Sequence, residues 1–204
     1  MSSQAKKVFY ADYVFYVWRE VYEPAEDSFL FAENLTVHSG EYVLDMGTGC
    51  GILGIIASEK ASRVVAVDIN PFAVRCAKEN AKLNGVSDKM FFIQGDLFTP
   101  LKAEEKFDLI LFNAPYLPSE PSEVGTWIDL AWSGGADGRA VIDRFLRNFP
   151  EHLKANGRVL LEQSTITNVD KTLQVLEDYG FKAKVIAKRD FPLFETIVLI
   201  EAKR

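Results

Sequence analysis

The sequence predicts an α/β protein: a doubly wound, mostly parallel sheet of seven strands with one antiparallel strand, preceded by a short N-terminal hairpin. Three observations carry this. From Tyr42 onward, short apolar runs alternate with stretches of helical spacing, the pattern of strand–helix–strand units. Several of these runs stop at a polar residue, at Asp45, Asp68 and Asn113. The last two runs have little between them, and strands joined by a short link run antiparallel.

A chain of 204 residues suits one main domain with a small addition. Residues 1–20 are assigned to the N-terminal extension and 21–204 to the main domain. Hydrophobic residues make up 48% and charged residues 25%, which excludes a largely disordered chain. No apolar run approaches the ~18–20 residues of a membrane-spanning helix, and the first residues lead into no signal-peptide core, so a soluble cytoplasmic protein is expected. Cys50 and Cys76 match no metal-ligand spacing, so no metal is expected. His38 and His152 lie far from any cysteine or serine signature, which leaves triad chemistry without support. The net charge of −6 argues against a nucleic-acid binder held by phosphates, which needs a basic surplus.

Residues 8–18 are dense in aromatic and β-branched side chains and predict a hairpin. Pro24, Glu26 and Asp27 read as a helix opening, with acids where the helix dipole favours them. Residues 42–44 form a strand ending at Asp45, followed by Gly47, Gly49, Gly51 and Gly54 and a helix over 52–60. A second strand, 64–67, ends at Asp68. Asn70–Pro71 caps the next helix, which stops at Asn84–Gly85. The third strand, 90–93, ends near Asp96, and the fourth, 107–111, runs out at Asn113. An irregular stretch, 119–135, holds Glu120, Glu123, Trp127 and Trp132; loops of that length usually carry function. A helix over 138–153, a strand over 158–162, a helix over 169–179 and strands over 183–186 and 196–200 complete the chain.

Two places carry chemistry. Asp45-Met46-Gly47-Thr48-Gly49-Cys50-Gly51 joins a strand to a helix, where glycines let a ligand approach the helix N-terminus. Asp68 follows at the offset where an acid binds ribose hydroxyls. Asp96 closes the third strand and can accept from an exocyclic amine. Residues 49–54 also satisfy G-x-G-x-x-G, the dinucleotide fingerprint, which is weak evidence alone. An acid in that loop would repel a pyrophosphate, whereas Asp45 suits a ligand with an ammonium group, a ribose diol and an adenine, as in S-adenosylmethionine. The second place is Phe112-Asn113-Ala114-Pro115-Tyr116-Leu117-Pro118. Pro115 cannot continue a ladder, so an amide, two free carbonyls and a ring sit where a strand ends, where open α/β sheets bind ligands. A plain proline turn would look the same on these residues alone.

Together, Asp45–Gly51, Asp68, Asp96 and Asn113-Ala114-Pro115-Tyr116 resemble a class I S-adenosylmethionine-dependent methyltransferase with its Rossmann-like sheet. The last motif is similar to the Asn-Pro-Pro-Tyr of enzymes that methylate planar nitrogens. Residues 21–28, 123–125 and 131–139 narrow the resemblance to the short HemK-like branch of release-factor glutamine methyltransferases, found in archaea and eukaryotes. The resemblance implies N5 methylation of the glutamine in the Gly-Gly-Gln loop of a class I release factor. It implies that Asp45 and Gly47 hold the methionine end of the donor, with Gly49 and Gly51 in the same loop. Asp68 would hold the ribose, Asp96 with the Leu97 backbone the adenine, and Ser28 would touch the donor from above. Asn113 and Tyr116 would bind the substrate amide, with Ala114 and Pro115 completing the catalytic corner. Family members also work with a small zinc-binding activator protein that pairs with the edge of the sheet at the third strand. The one departure is Ala114, where the family has proline. Rival readings are N6-adenine or N2-guanine methylation of RNA or DNA and, more remotely, a non-catalytic scaffold.

Overall fold

The computed structural model describes residues 5–191 and 195–204. The first four residues of the N-terminal extension and the link residues 192–194 lie outside this description. Strands β1 (Lys6–Tyr10) and β2 (Tyr13–Val17) form the antiparallel hairpin. The main sheet contains β3 (Tyr42–Met46), β4 (Arg63–Asp68), β5 (Met90–Gln94), β6 (Phe107–Asn113), β7 (Leu153–Ser164), β8 (Lys182–Asp190) and β9 (Thr196–Lys203). Their order is β5-β4-β3-β6-β7-β9-β8, and β9 runs antiparallel to both its neighbours. The doubly wound, seven-stranded sheet with one antiparallel strand is thus observed.

Helices α1 (Glu26–Asn34), α2 (Ile52–Ala57), α3 (Pro71–Leu83), α4 (Ala140–Asn148) and α5 (Val169–Asp178) accompany the strands. Side chains alternate along the central strands and so divide the core in two. Val43, Leu109 and Leu111 pack on one side with Phe31, Leu53 and Ile55. Leu44, Ile110 and Phe112 pack on the other with Phe145 and Phe149. The Phe112 and Phe145 centroids are 4.6 Å apart, and those of Phe145 and Phe149 are 5.5 Å apart. Burying each such ring contributes about 1.5–3 kcal/mol, which anchors the end of β6 against α4.

Two helices are shorter than the sequence suggests. Helix α2 ends at Ala57 rather than Lys60, because the last turn tightens into Glu59 N–Ile56 O and Lys60 N–Ala57 O bonds. Helix α4 starts at Ala140. Gly138 has φ +73°, and a Cβ there would lie 2.3 Å from the Tyr116 carbonyl, so this residue turns the chain and cannot be helical. At the other end Pro150 falls in a 3-10 turn, Phe149–His152.

The hairpin docks by an unusual ladder. Asn80 on α3 and Asn84, the C-cap of that helix, lie one turn apart and offer their amides to β2 as a neighbouring strand would. Asn80 accepts from the Tyr16 N–H at 2.9 Å and donates to the Tyr16 carbonyl at 3.0 Å. Asn84 accepts from Val14 N at 3.0 Å and donates to its carbonyl at 2.8 Å. Asn80 also donates to the Cys50 carbonyl at 2.8 Å, which ties the hairpin to the glycine loop. Asn80 is buried and Asn84 only half-buried, and stripping partners from buried polar groups costs about 1–3 kcal/mol each. Asn80→Ala is therefore expected to lower unfolding free energy by about 2–3 kcal/mol in a denaturant titration, and Asn84→Ala by clearly less.

Candidate functional site

A cavity of about 320 Å³ opens where the carboxyl ends of β3, β4 and β6 meet, a volume that suits a small organic ligand. Ser28, Gly47, Gly49, Asp68, Asp96, Leu97, Asn113, Ala114, Pro115 and Tyr116 all line it. The structure therefore brings together ten of the residues singled out in the sequence. Gly51 lies just outside, as the N-cap of α2 with φ 92°. Asp45 does not line the cavity either. It is buried beneath the loop, where its Oδ2 accepts from Thr48 Oγ1 at 2.6 Å and Gly54 N at 3.0 Å. A Cβ on Gly54 would approach that oxygen to 2.7 Å, so only glycine lets α2 sit so close. Burial pushes the Asp45 carboxyl up to about 7, opposed by these two hydrogen bonds.

Asp68 holds the other side of the loop. Its Oδ2 accepts from Gly49 N and its Oδ1 from Asn70 N, each at 2.9 Å. Burial raises its carboxyl above the usual range. Each oxygen keeps a lone pair for a vicinal diol. Beyond β5, Leu97 adopts φ +49°, a conformation that costs a non-glycine residue free energy and collects at functional sites. Asp96 pairs with Arg144 Nη2 at 2.5 Å, and Ile69 and Val141 add apolar surface. Bare glycine backbone, a diol-facing acid and an apolar wall beside an acid fit an adenosine-containing ligand.

At the opposite end, Asn113 Nδ2 donates to Asp27 Oδ2 at 3.2 Å. A carboxylate can only accept, so this bond fixes which way the Asn113 amide faces and frees its Oδ1. Asp27 is itself held by Tyr22, whose hydroxyl lies 3.1 Å from both carboxylate oxygens. The first-turn acids of α1 thus differ in use: Glu26 pairs with Arg189 at the surface, while Asp27 turns inward to the cavity. Burial and the nearby Asp27 charge raise the hydroxyl pKa of both Tyr22 and Tyr116, so both remain neutral phenols.

Ala114 creates no orphan donor. Its N–H, absent from a proline, reaches the Glu162 carbonyl at 3.3 Å. The Glu162 side chain, in register with Asn113, is fully buried, and neither oxygen has a hydrogen-bond partner among the described residues. Burial and the Asp27 charge push its carboxyl well above the ordinary range, which favours the neutral acid.

The 119–135 stretch folds back over this corner. Leu117 N donates to the Trp132 carbonyl and Gly134 N to the Leu117 carbonyl, both at 2.8 Å. Behind it, buried Arg139 reaches Asp143 at 2.6 Å, Asn168 O at 2.9 Å and Thr172 Oγ1 at 3.0 Å, and also meets Thr167 O. Trp127 and Trp132 line the cavity mouth. Asp27 and Arg144 line the cavity without having been singled out in the sequence, and neither was Glu162, buried beside Asn113 on the next strand. Asp27 stood beside Ser28 in a matching motif, but its first-turn position already explained it. Arg144 sat on a helix with no local signal.

A family model described as ribosomal protein L11 methyltransferase (PrmA) matches residues 28–114. A Methanocaldococcus jannaschii protein, provisionally named a protein N5-glutamine methyltransferase, is 44% identical over 91% of this chain and 92% of its own length. The Homo sapiens protein Methyltransferase HEMK2 is 33% identical over 83% of this chain and 84% of its own. Among solved structures, a chain of the E. cuniculi Mtq2–Trm112 complex, described as responsible for methylation of the eRF1 translation termination factor, superposes with a TM-score of 0.67. It is 24% identical, covering 91% of this chain and 99% of that one.

The Asp45 environment makes a test of its own. An acid ionising near pH 7 when folded and near 3.8 ordinarily keeps a proton that the unfolded chain has already released. Its contribution to stability is complete below the lower value and is lost as pH rises through the higher. The slope approaches about 1.4 kcal/mol per pH unit between them. Subtracting Asp45→Asn from wild-type unfolding free energies between about pH 4 and 8 should expose this falling difference; a flat difference would refute the assigned burial.

Proposed function

The chain belongs to the HemK2-like protein N5-glutamine methyltransferases, and on that premise we propose that it transfers a methyl group from S-adenosylmethionine to the Gly-Gly-Gln glutamine of a class I release factor. The observation that carries this is the Asp27–Asn113 hydrogen bond, which leaves one well-aimed acceptor at the cavity foot. When bound, S-adenosylmethionine supplies a methyl group made electrophilic by its sulfonium.

The residues of the chain do the rest by placement. Asp68 accepts from the ribose hydroxyls while the Gly49 and Asn70 amides hold it in position. Asp96 and the Leu97 backbone meet the adenine, Gly47 borders the methionine end, and Ser28 closes the cavity from above. Asp45 acts indirectly, bracing the loop through Thr48 and Gly54.

An amide nitrogen is a weak nucleophile because its lone pair is delocalised. Asn113 Oδ1 and the Ala114 carbonyl each accept a hydrogen bond from one of its two N–H groups, and Tyr116 stacks on the flat amide. Fixing the nitrogen in line with the methyl group supplies much of the rate, because orientation alone is worth several kcal/mol. No base is needed before transfer: as the N–CH3 bond forms and the S–CH3 bond breaks, the donor leaves as a neutral thioether, and the cationic nitrogen then gives up one N–H proton to water.

The zinc-binding activator fits the free edge of the sheet. Strand β5 is an outer strand, and Met90-Phe91-Phe92-Ile93-Gln94 carries no charge. Phe91 is 45% exposed there, and an apolar edge of this kind is usually covered by a pairing strand.

Incubation with labelled donor and the activator should place label on a release factor and not on RNA; label on RNA alone would overturn the proposed substrate. Asn113→Ala should lower kcat by about 10²–10³-fold, by analogy with losing one transition-state hydrogen bond, while donor affinity stays unchanged. Asp27→Ala should cost about 10–100-fold in kcat, the usual effect of releasing a residue that orients another. Parallel loss of donor binding in either variant would refute these roles.

A further inference from the structure

A second depression, of about 430 Å³, adjoins the acceptor end of the cavity. Trp18, Val21 and Tyr22 form its hairpin side, and Ile128 and Trp132 its loop side. Tyr22 and Trp132 also line the main cavity, and their rings meet edge to face at 6.3 Å. The two spaces thus share a wall at the acceptor corner.

A glutamine side chain spans only about 5 Å from its Cα to its amide nitrogen, given bonds of ~1.5 Å. Tyr22 and Trp132 line both spaces, so a short side chain delivered to Asn113 across them holds its backbone at the shared wall. Residues on one side of the glutamine then run directly over the second depression.

We infer that this groove is a docking site for the chain segment flanking the target glutamine on one side, seating an apolar side chain between Trp18 and Ile128. The inference rests on the protein substrate proposed above. The groove's outer rim is the Lys6–Glu23 ion pair, at 2.5 Å with side chains 70% and 45% exposed. Such an exposed pair contributes little to stability, so an incoming segment displaces it easily. Arg19 adds a second exposed cation at the rim, which favours an acidic residue beyond the apolar one. The groove contributes binding that is equal before and during transfer, so its loss acts on KM.

The experiment uses a peptide centred on the Gly-Gly-Gln glutamine and versions shortened from each end, with the activator present. With wild-type protein, shortening one end should raise KM about tenfold at constant kcat, and shortening the other should not. Ile128→Glu should raise KM for the long peptide by the same factor, leave donor affinity unchanged, and have no effect on the peptide already shortened at the sensitive end. Equal effects of both truncations, or an Ile128→Glu effect that persists on the shortened peptide, would overturn the groove. If Ile128→Glu fails to fold, the wild-type truncation series decides alone. Absence of label from every peptide and from the whole release factor would instead refute the proposed substrate, an outcome distinct from methylation that is indifferent to length.

Discussion

The reversal of strand order at β3 governs everything else in the molecule. With β4 on one side and β6 on the other, the connections leave on opposite faces and cannot close over the strand ends between them. A crevice must remain there. The fold places the glycine loop, Asp68 and the Asn113 corner around it because each ends or follows one of these three strands.

What turns the crevice into a defined site is support from segments distant in sequence. Tyr22, Asp27 and Asn113 come from the segment after the hairpin, from α1 and from β6, and join in one hydrogen-bonded row. Asn80 ties the hairpin to the loop on the donor side. Gly138 lets the chain pass against the Tyr116 carbonyl, and Arg139 ties that turn to Asn168 and Thr172. Each of these contacts limits a rotamer or a loop position, which is how a site holds a weak nucleophile in line.

The two outer strands contrast in chemistry. Strand β8 carries Lys182, Lys184, Lys188 and Arg189, and lysine on an edge discourages pairing with other chains. Strand β5 carries none. The same sheet therefore guards one edge and leaves the other able to pair.

Much of this was legible in the sequence. Strand–helix alternation, the acids at strand ends and the Asn70 cap are local patterns, dictated by side-chain period and backbone chemistry, and they appear where expected. Helix ends were less legible: α2 closes on a local tightened turn, and α4 starts only where Gly138 has passed against the Tyr116 carbonyl. The site divides in the same way. Asp68, Asp96 and Asn113 announced themselves by closing strands and line the cavity. Asp45 announced itself equally well, yet its carboxyl faces α2 from below the loop, because it sits level with Ala66 and Leu111 inside the sheet, whereas Asp68 and Asn113, on the same face, are the last residues of their strands. Arg144 and Glu162 gave no local signal, and that of Asp27 was already explained by its place in a first helical turn; Asp27 and Arg144 act through partners 86 and 48 residues away, and Glu162 through burial. The sequence by itself determined the elements and the candidate polar residues at their ends. The tertiary structure decided which oxygens face the cavity and which are consumed in holding it, because that depends on packing between segments that local patterning does not see.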